Sequence, residues 1–343
     1  MKYKQLRLGD LAEFTTGKLN ANKAVEDGKY PFFTTSPETL RINNFAFDQD
    51  AILLGGNNAN GVFQLKRYTG KFNAYQRTYV ISVVKENIIN NDYLYYALMP
   101  KLVELQNKSL GTATKFITKR ILENLLIKVP NNYNEMERRA TYLRTIDNKI
   151  QLNKQLNANL QELRHILYKQ LIAQSALKTI SIKELYSIKY GKTLPKSQLL
   201  RTGTKVFGAK GFMGYTERKP LVNKATVTIT SRGSGAGFVS YIDEEEAFLT
   251  NNLLYLIDKT GLGLSFTYEL IKSSKPSQFV TGSAQPQLTI NNLKQLKLKI
   301  PTDRFIIEQF KNNTKRIEDC MSNNKIENNS LQKLRLAFLN YYF

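Results

Sequence analysis

Few side chains in this chain have the type and spacing to run a reaction. There is one histidine, His165, and one cysteine, Cys320. Nucleophilic catalysis needs a nucleophile with a base beside it, and a zinc centre needs three or four ligands. One His and one Cys exclude a Cys/His zinc site and a disulfide framework alike. Gly191-Lys192-Thr193 ends like a triphosphate loop but lacks the upstream glycine, because position 186 is Tyr. Glu217-Arg218-Lys219 has the shape of the end of a metal-dependent nuclease site, yet no acidic residue stands between Glu184 and Glu217 to complete it. Asp243-Glu244-Glu245-Glu246 is acidic enough for a cation, but without a second ligand set it reads as a solvated turn. The nine prolines are never adjacent, so the Asn/Asp-Pro-Pro-aromatic grip of amino-methyltransferases cannot form, and no Phe-x-Gly-x-Gly loop is present. The expectation is a chain with no catalytic residue, metal or cofactor of its own.

Binding chemistry is better supplied, in three patches per half. The first is a Gly-rich bend, Gly55-Gly56-Asn57-Asn58-Ala59-Asn60-Gly61 in one half and Ser231-Arg232-Gly233-Ser234-Gly235-Ala236-Gly237 in the other. Glycines let backbone come close to phosphates; Asn pairs bidentately with adenine and Arg with guanine. The second is basic: Lys66, Arg67, Lys71 and Arg77, then Lys210, Arg218, Lys219 and Lys224. Such residues neutralise phosphates and position a protein on them. The third is a loop with Thr112, Thr114 and Lys115, echoed by Ser283, Gln285 and Gln287. Lys18 and Lys192 add a cation at matched places, and Tyr75, Tyr190 and Tyr215 are candidates for base or sugar contact. Each patch has a plainer reading: a hairpin loop, solvated charge, a structural turn.

Charge favours the binding reading. The formal net charge is +22. The excess is +7 in residues 1–132 and +10 in 176–301, against +3 in 133–175 and +2 in 302–343. The cationic parts are therefore the ones to meet a polyanion, and a nucleic acid is the expected partner. No apolar run is long enough to span a bilayer, so no membrane is expected. Met1-Lys2-Tyr3-Lys4-Gln5 has no apolar signal core, and the expected location is cytoplasmic.

The elements that must position these patches come in duplicate. Gly111-Thr112-Ala113-Thr114-Lys115-Phe116-Ile117-Thr118 recurs about 171 residues later as Gly282-Ser283-Ala284-Gln285-Pro286-Gln287-Leu288-Thr289. Each leads to a strand-like run closing on Pro130 or Pro301, then to a long helix. Each half opens alike, from Leu8, Leu11, Phe14 and Gly17 in one and from Ile182, Leu185, Ile188 and Gly191 in the other. That spacing predicts a short helix capped by the glycine. Phe33 aligns with Phe207, Ala51 with Ala225, Phe63 with Phe238, and Tyr79-Val80-Ile81 with Tyr255-Leu256-Ile257. A period this long is a domain duplication.

The helical tails match best. Ile146, Ile150, Asn153, Asn157 and Leu160 step by four and three, as do Ile317, Met321, Asn324, Asn328 and Leu331. Leu163, Leu167, Leu334 and Phe338 continue the stripe. This a/d seam predicts that the tails pair as an antiparallel coiled coil, with the asparagines fixing register. A second reading lays each helix on its own domain. The domains are drawn as 1–132, a central spacer helix 133–175, 176–301, and a C-terminal spacer helix 302–343. The fold class is α+β: two tandem mixed α/β domains separated and joined by two long helices, with pseudo-two-fold symmetry.

This ordered pattern resembles the specificity subunit of type I restriction–modification enzymes. Two variable units, each entered through Leu-x2-Leu-x2-Phe-x2-Gly-Lys and closed by Gly-Ser/Thr-x4-Leu/Ile-Thr and a strand ending in Pro, precede long helices in both. The chain departs in being short and in having Lys115-Phe116 where the second loop has Pro286-Gln287. The resemblance implies two target-recognition domains, each reading half of a split DNA site, with the helices as a ruler for the unread spacer. It implies docking of two methyltransferase subunits and of motor-nuclease restriction subunits, in a system for DNA methylation and phage defence. S-adenosylmethionine, ATP and Mg2+ would belong to those partners. Two other classes stay open: a stand-alone DNA-modifying enzyme and a coiled-coil scaffold.

Overall fold

The computed structural model describes residues 3–59, 61–112 and 114–343. The chain falls into two units, one of residues 3–152 with Asn328–Phe343, the other Asn153–Glu327. Each has its own sheet and core.

In the first unit a six-stranded sheet runs in the order Ala12–Thr16, Thr78–Val83, Phe47–Gly55, Leu65–Ala74, Tyr30–Phe33, Leu40–Ile42. All neighbours are antiparallel except Tyr30–Phe33 beside Leu65–Ala74. Ala51-Ile52-Leu53-Leu54 is apolar without alternation because both faces of that strand are covered. Ile52, Leu54 and Ile81 pack with Tyr93, Leu94 and Leu98 of the helix Asn91–Leu98. Ala51, Leu53 and Val80 pack on the other side with Phe33 and Phe72. The second unit repeats the plan with four strands, Tyr186–Tyr190, Leu253–Asp258, Thr226–Thr230 and Val239–Ile242, under the helix Leu264–Ser273. A three-stranded sheet of Gly211–Thr216, Thr204–Gly208 and Phe248–Leu249 stands beside them. The runs ending in proline are strands in both units. Leu126–Pro130 pairs with Tyr3–Arg7, and Lys297–Pro301 with Leu177–Ser181.

Two sequence expectations change. The opening helices are a single turn each, Leu8–Leu11 and Ile182–Leu185. Phe14 and Ile188 lie on the strands that follow, because Ala12–Thr16 and Tyr186–Tyr190 each add an edge to their sheet. Gly17 and Gly191 therefore cap no helix. They allow close backbone approach: a Cβ would lie 1.7 Å from the Ala74 oxygen or 2.2 Å from the Thr250 oxygen. The alignment of the halves also slips by one residue. Phe14 opposes Ile81, and Ile188 opposes Leu256. Tyr79-Val80-Ile81 thus corresponds to Leu254-Tyr255-Leu256, and Ala51 to Thr226. Phe63 is buried whereas Phe238 is 64% exposed, so that match does not hold. Phe33 and Phe207 do correspond, each carbonyl accepting from a backbone N–H, that of Tyr75 or of Thr250, at 2.9 Å.

The tails are helices Tyr133–Gln174 and Arg304–Tyr342. In the first unit Tyr142 stacks on Phe338 and Arg335 donates to Asp147 at 2.6 Å. In the second, Asn153 donates to Glu327 (2.7 Å), Asn157 to the Met321 carbonyl (3.2 Å) and Asn324 to Asn157 Oδ1 (2.8 Å). Within each unit rising residue numbers meet falling ones, so the pairing is antiparallel. Helix ends also enter the domain cores, with Met136, Ala140, Leu143 and Leu339 in one and Tyr168, Ile307 and Phe310 in the other. Ile146, Ile150, Ile317, Met321, Asn153 and Asn328 are buried, and Asn157, Leu160, Asn324 and Leu331 half-buried. Leu163 and Leu334 leave the seam, at 44% and 46% exposure. A straight helix drifts about 20° per heptad against a 3.5-residue stripe. Beyond Leu160 and Leu331 the inward positions have moved on by one, to Arg164 and Tyr168 and to Arg335 and Leu339, with Leu167 and Phe338 half-buried beside them.

Candidate nucleic-acid interface

The Gly-rich bend and the closing loop, separate in sequence, form one edge in each unit. In the first, Gly56 N donates to the Arg77 carbonyl (2.7 Å) and Ile117 N to the Gly56 carbonyl (2.8 Å). Asn57 then pairs with Phe116 and Asn58 with Lys115. In the second, Ser231 N donates to the Asn252 carbonyl and Leu288 N to the Ser231 carbonyl, both at 2.8 Å, and Arg232 pairs with Gln287. Gly56 thus stands where Ser231 does, Asn57 where Arg232 does, and Phe116 where Gln287 does.

The loops close identically. Leu110 and Phe116 exchange backbone hydrogen bonds, as do Thr281 and Gln287, all between 2.8 and 3.0 Å. Gly111 and Gly282 sit at φ +93° and +90°, where a side chain would strain the backbone. Thr118 and Thr289 then cap the helices Lys119–Glu123 and Ile290–Leu293, each hydroxyl accepting from the N–H three residues on. The repeated Gly…Thr signature is therefore scaffold.

The edge presents Asn57, Asn58 and Lys115, half-buried, with Arg77, Thr112 and Thr114 exposed. Its counterpart presents Arg232, Ser234, Ser283 and Gln285, exposed, with Gln287 half-buried. Lys18, Lys71, Lys192, Lys210, Lys219 and Lys224 are exposed as well, Lys71 with its ammonium 4.8 Å from the Phe45 ring centroid. Asn60 lies outside the described residues. Beside the first edge opens a recess of about 530 Å3 that Thr16 and Gln76 help to line. No signal in the sequence marks either; pairing of Thr16 with Tyr79 and of Gly56 with Arg77 brings them to Asn57 and Arg77.

Other residues are committed elsewhere. Ser231 is fully buried and donates to the Asn251 carbonyl (3.2 Å), so it holds the bend and meets no ligand. Arg67 grips Asp50 through two nitrogens and Asp92 through a third, which takes it out of the contact set. Burial alone pushes the Asp50 carboxyl up. The hydrogen bond and charge of Arg67, with Asn91 and Thr69, outweigh it and hold the group below the usual carboxylate range. Lys66 bonds the Ser36 carbonyl and Thr39 Oγ1 at 3.1 Å, and burial lowers its pKa against the pull of Glu38. Arg218 is exposed but bonds the Thr193 carbonyl at 3.2 Å. Among the aromatic candidates, Tyr75 and Tyr215 are half-buried, Tyr215 against the edge of Phe212, and the Tyr190 hydroxyl accepts from Ile290 N at 3.1 Å.

Two of the groups with catalytic appearance have partners. His165 Nδ1 is 2.8 Å from Glu269, which also accepts from Arg164. The acidic turn is held by lysines: Lys325 bonds Asp243 (2.7 Å) and Glu244 (2.9 Å), and Lys205 bonds Glu244 (2.6 Å). Among the described residues no three His, Cys, Asp or Glu cluster as metal ligands, and no helix is long and apolar enough to cross a membrane.

Known proteins share this plan. A family profile described as the type I restriction modification DNA specificity domain matches residues 1–162 and again 175–335. Over 129 residues the chain is 41% identical to the type I restriction enzyme EcoDI specificity subunit of Escherichia coli, covering 38% of this chain and 28% of that protein. Over 231 residues it is 26% identical to the MjaVIII specificity subunit of Methanocaldococcus jannaschii, covering 58% of this chain and 53% of that protein. The chain thus spans only part of the length of these curated relatives. The crystal structure of a type I restriction–modification S subunit from M. genitalium superposes with a TM-score of 0.67, at 19% identity, over 98% of this chain and 95% of that one.

Proposed function

Because the chain belongs to the type I restriction–modification DNA specificity family, we propose that it is the DNA-reading subunit of such a system. Each unit reads one half of a bipartite site in double-stranded DNA. The observation that carries this reading is the duplicated edge. One backbone frame, bonded alike in both units, displays Asn57, Asn58, Arg77 and Lys115 in one and Arg232, Gln285 and Gln287 in the other. Asn, Gln and Arg are the side chains that pair bidentately with base edges, and the surrounding lysines suit phosphates.

The chain itself catalyses nothing in this reading. Two methyltransferase subunits dock on it and supply S-adenosylmethionine chemistry, and motor-nuclease subunits supply ATP- and Mg2+-dependent cleavage, all in the cytoplasm. The test is to express the chain with a type I methyltransferase subunit that assembles with it in an unmethylated host and to map modified adenines. The expected result is one motif split by an unread gap. Methyl transfer or cleavage by the purified chain alone would favour a modifying enzyme. Absent DNA binding would favour a scaffold.

A further inference from the structure

The two edges share a frame but not a contour. In the first unit the frame leaves the recess of about 530 Å3, within the roughly 300–1,000 Å3 of sites that enclose small ligands. Tyr79 backs it, its hydroxyl fixed by donating to the Ile117 carbonyl at 2.9 Å. Its polar lining includes Asn57, Gln76 and Arg77. Asn57 Oδ1 is buried and receives no hydrogen bond. A buried acceptor left unmet is costly. Gln76 donates its amide nitrogen to Asn20 Oδ1 (2.7 Å), which orients the group. The guanidinium of Arg77 is exposed and has no hydrogen bond or ion pair among the described residues.

The second unit carries larger residues at two of the equivalent positions. Tyr190 stands where Thr16 does, Ser231 where Gly56 does and Asn252 where Arg77 does. The Tyr190 hydroxyl accepts from Ile290 N, on the segment just after Leu288, the counterpart of Ile117. Two small residues that line the recess of the first unit, Thr16 and Gly56, thus have larger counterparts, Tyr190 and Ser231, in the second.

We propose that this recess is the base-reading pocket of the first unit and takes the major-groove edge of a guanine-containing base pair. Arg77 donates to guanine O6 and N7, and Asn57, half-buried beside it, forms the wall of the recess against the same or the next pair. Thr16 and Gln76 shape the pocket, which makes all four positions determinants of one half-site. The inference rests on the DNA-reading function proposed above.

The test selects binding sites from randomised duplex DNA with the full-length chain and with Arg77→Ala, Asn57→Asp and Thr16→Tyr, using Lys71→Ala as a cation outside the recess. Arg77→Ala and Asn57→Asp should each cut the preference at one or two base positions of one half-site by about tenfold or more and leave the other half-site intact. Thr16→Tyr, which fills the recess without touching charge, should alter the same half-site. Lys71→Ala should weaken all sequences alike. Recess variants that select the wild-type site unchanged, or that lose affinity evenly over all sequences, overturn the pocket and leave the functional reading standing. A wild-type chain that selects no split site brings down both.

Discussion

Glu269 is 1% exposed and would be intolerable alone, since an unpaired buried carboxylate has lost its water without compensation. It accepts from Arg164 Nε at 3.0 Å, and Arg164, itself 2% exposed, lies over the rings of Tyr268 and Tyr241. Breaking one partner out of a buried pair costs about 3–5 kcal/mol, whereas replacing both with apolar groups is often near neutral. Glu269→Ala should lower the unfolding free energy in urea by about that amount, and Glu269→Leu with Arg164→Met should recover much of it. Arg77→Ala removes an exposed, unbonded group and should change stability by less than about 0.5 kcal/mol. A large loss at Arg77, or none at Glu269, would reverse the division drawn between side chains that hold the fold and side chains left for a ligand.

At the scale of elements, the two units are the same device made twice. Thr118 and Thr289 cap equivalent short helices with similar geometry, so Thr118→Ala and Thr289→Ala should each cost about 1 kcal/mol in chemical denaturation. Markedly unequal costs would mean that the frames differ more than their hydrogen bonds show. This sameness was legible in sequence, because a glycine at positive φ followed by a capping threonine tolerates few substitutes. The seam is legible over its middle because its residues recur by fours and threes, and is lost at Leu163 and Leu334 where the 3.5-residue template outruns a 3.6-residue helix. The opening strands read as helix in sequence because Leu8, Leu11 and Phe14 fit a helical stripe, while pairing of Phe14 with Ile81, far along the chain, decides the matter. The shared tyrosine aligns Tyr79 with Tyr255 in sequence, one residue from its structural counterpart Leu254, and such a slip inverts which face a strand residue occupies. The reading edge itself was hidden. Its two parts are far apart in sequence and are joined by the bonding of Gly56 to Ile117 and the pairing of Asn57 and Asn58 with Phe116 and Lys115, and the withdrawal of Arg67 depends on Asp50 and Asp92.

For the whole molecule, the helical pair is the part on which a split site would depend. Both helices continue from one unit's sequence into the other's, and their contacts are antiparallel in each unit. If their length sets the unread gap, shortening them must shorten the gap without touching either half-site. Removing residues 150–156 together with 324–330 takes out facing heptads. Seven residues at 1.5 Å each shorten a helix by about 10 Å, on the order of three base pairs at 3.4 Å. A whole heptad also turns the helix faces by only about 20°, so the seam can re-form. The modified motif of this variant should keep both half-sites and lose about three base pairs from its gap, read by mapping methylated adenines in cells that co-express the methyltransferase. A four-residue deletion from each helix turns the faces further and should reduce modification at any gap length. A heptad-deleted chain that still methylates the original spacing would remove the helices from the role of ruler and pass it to the units themselves.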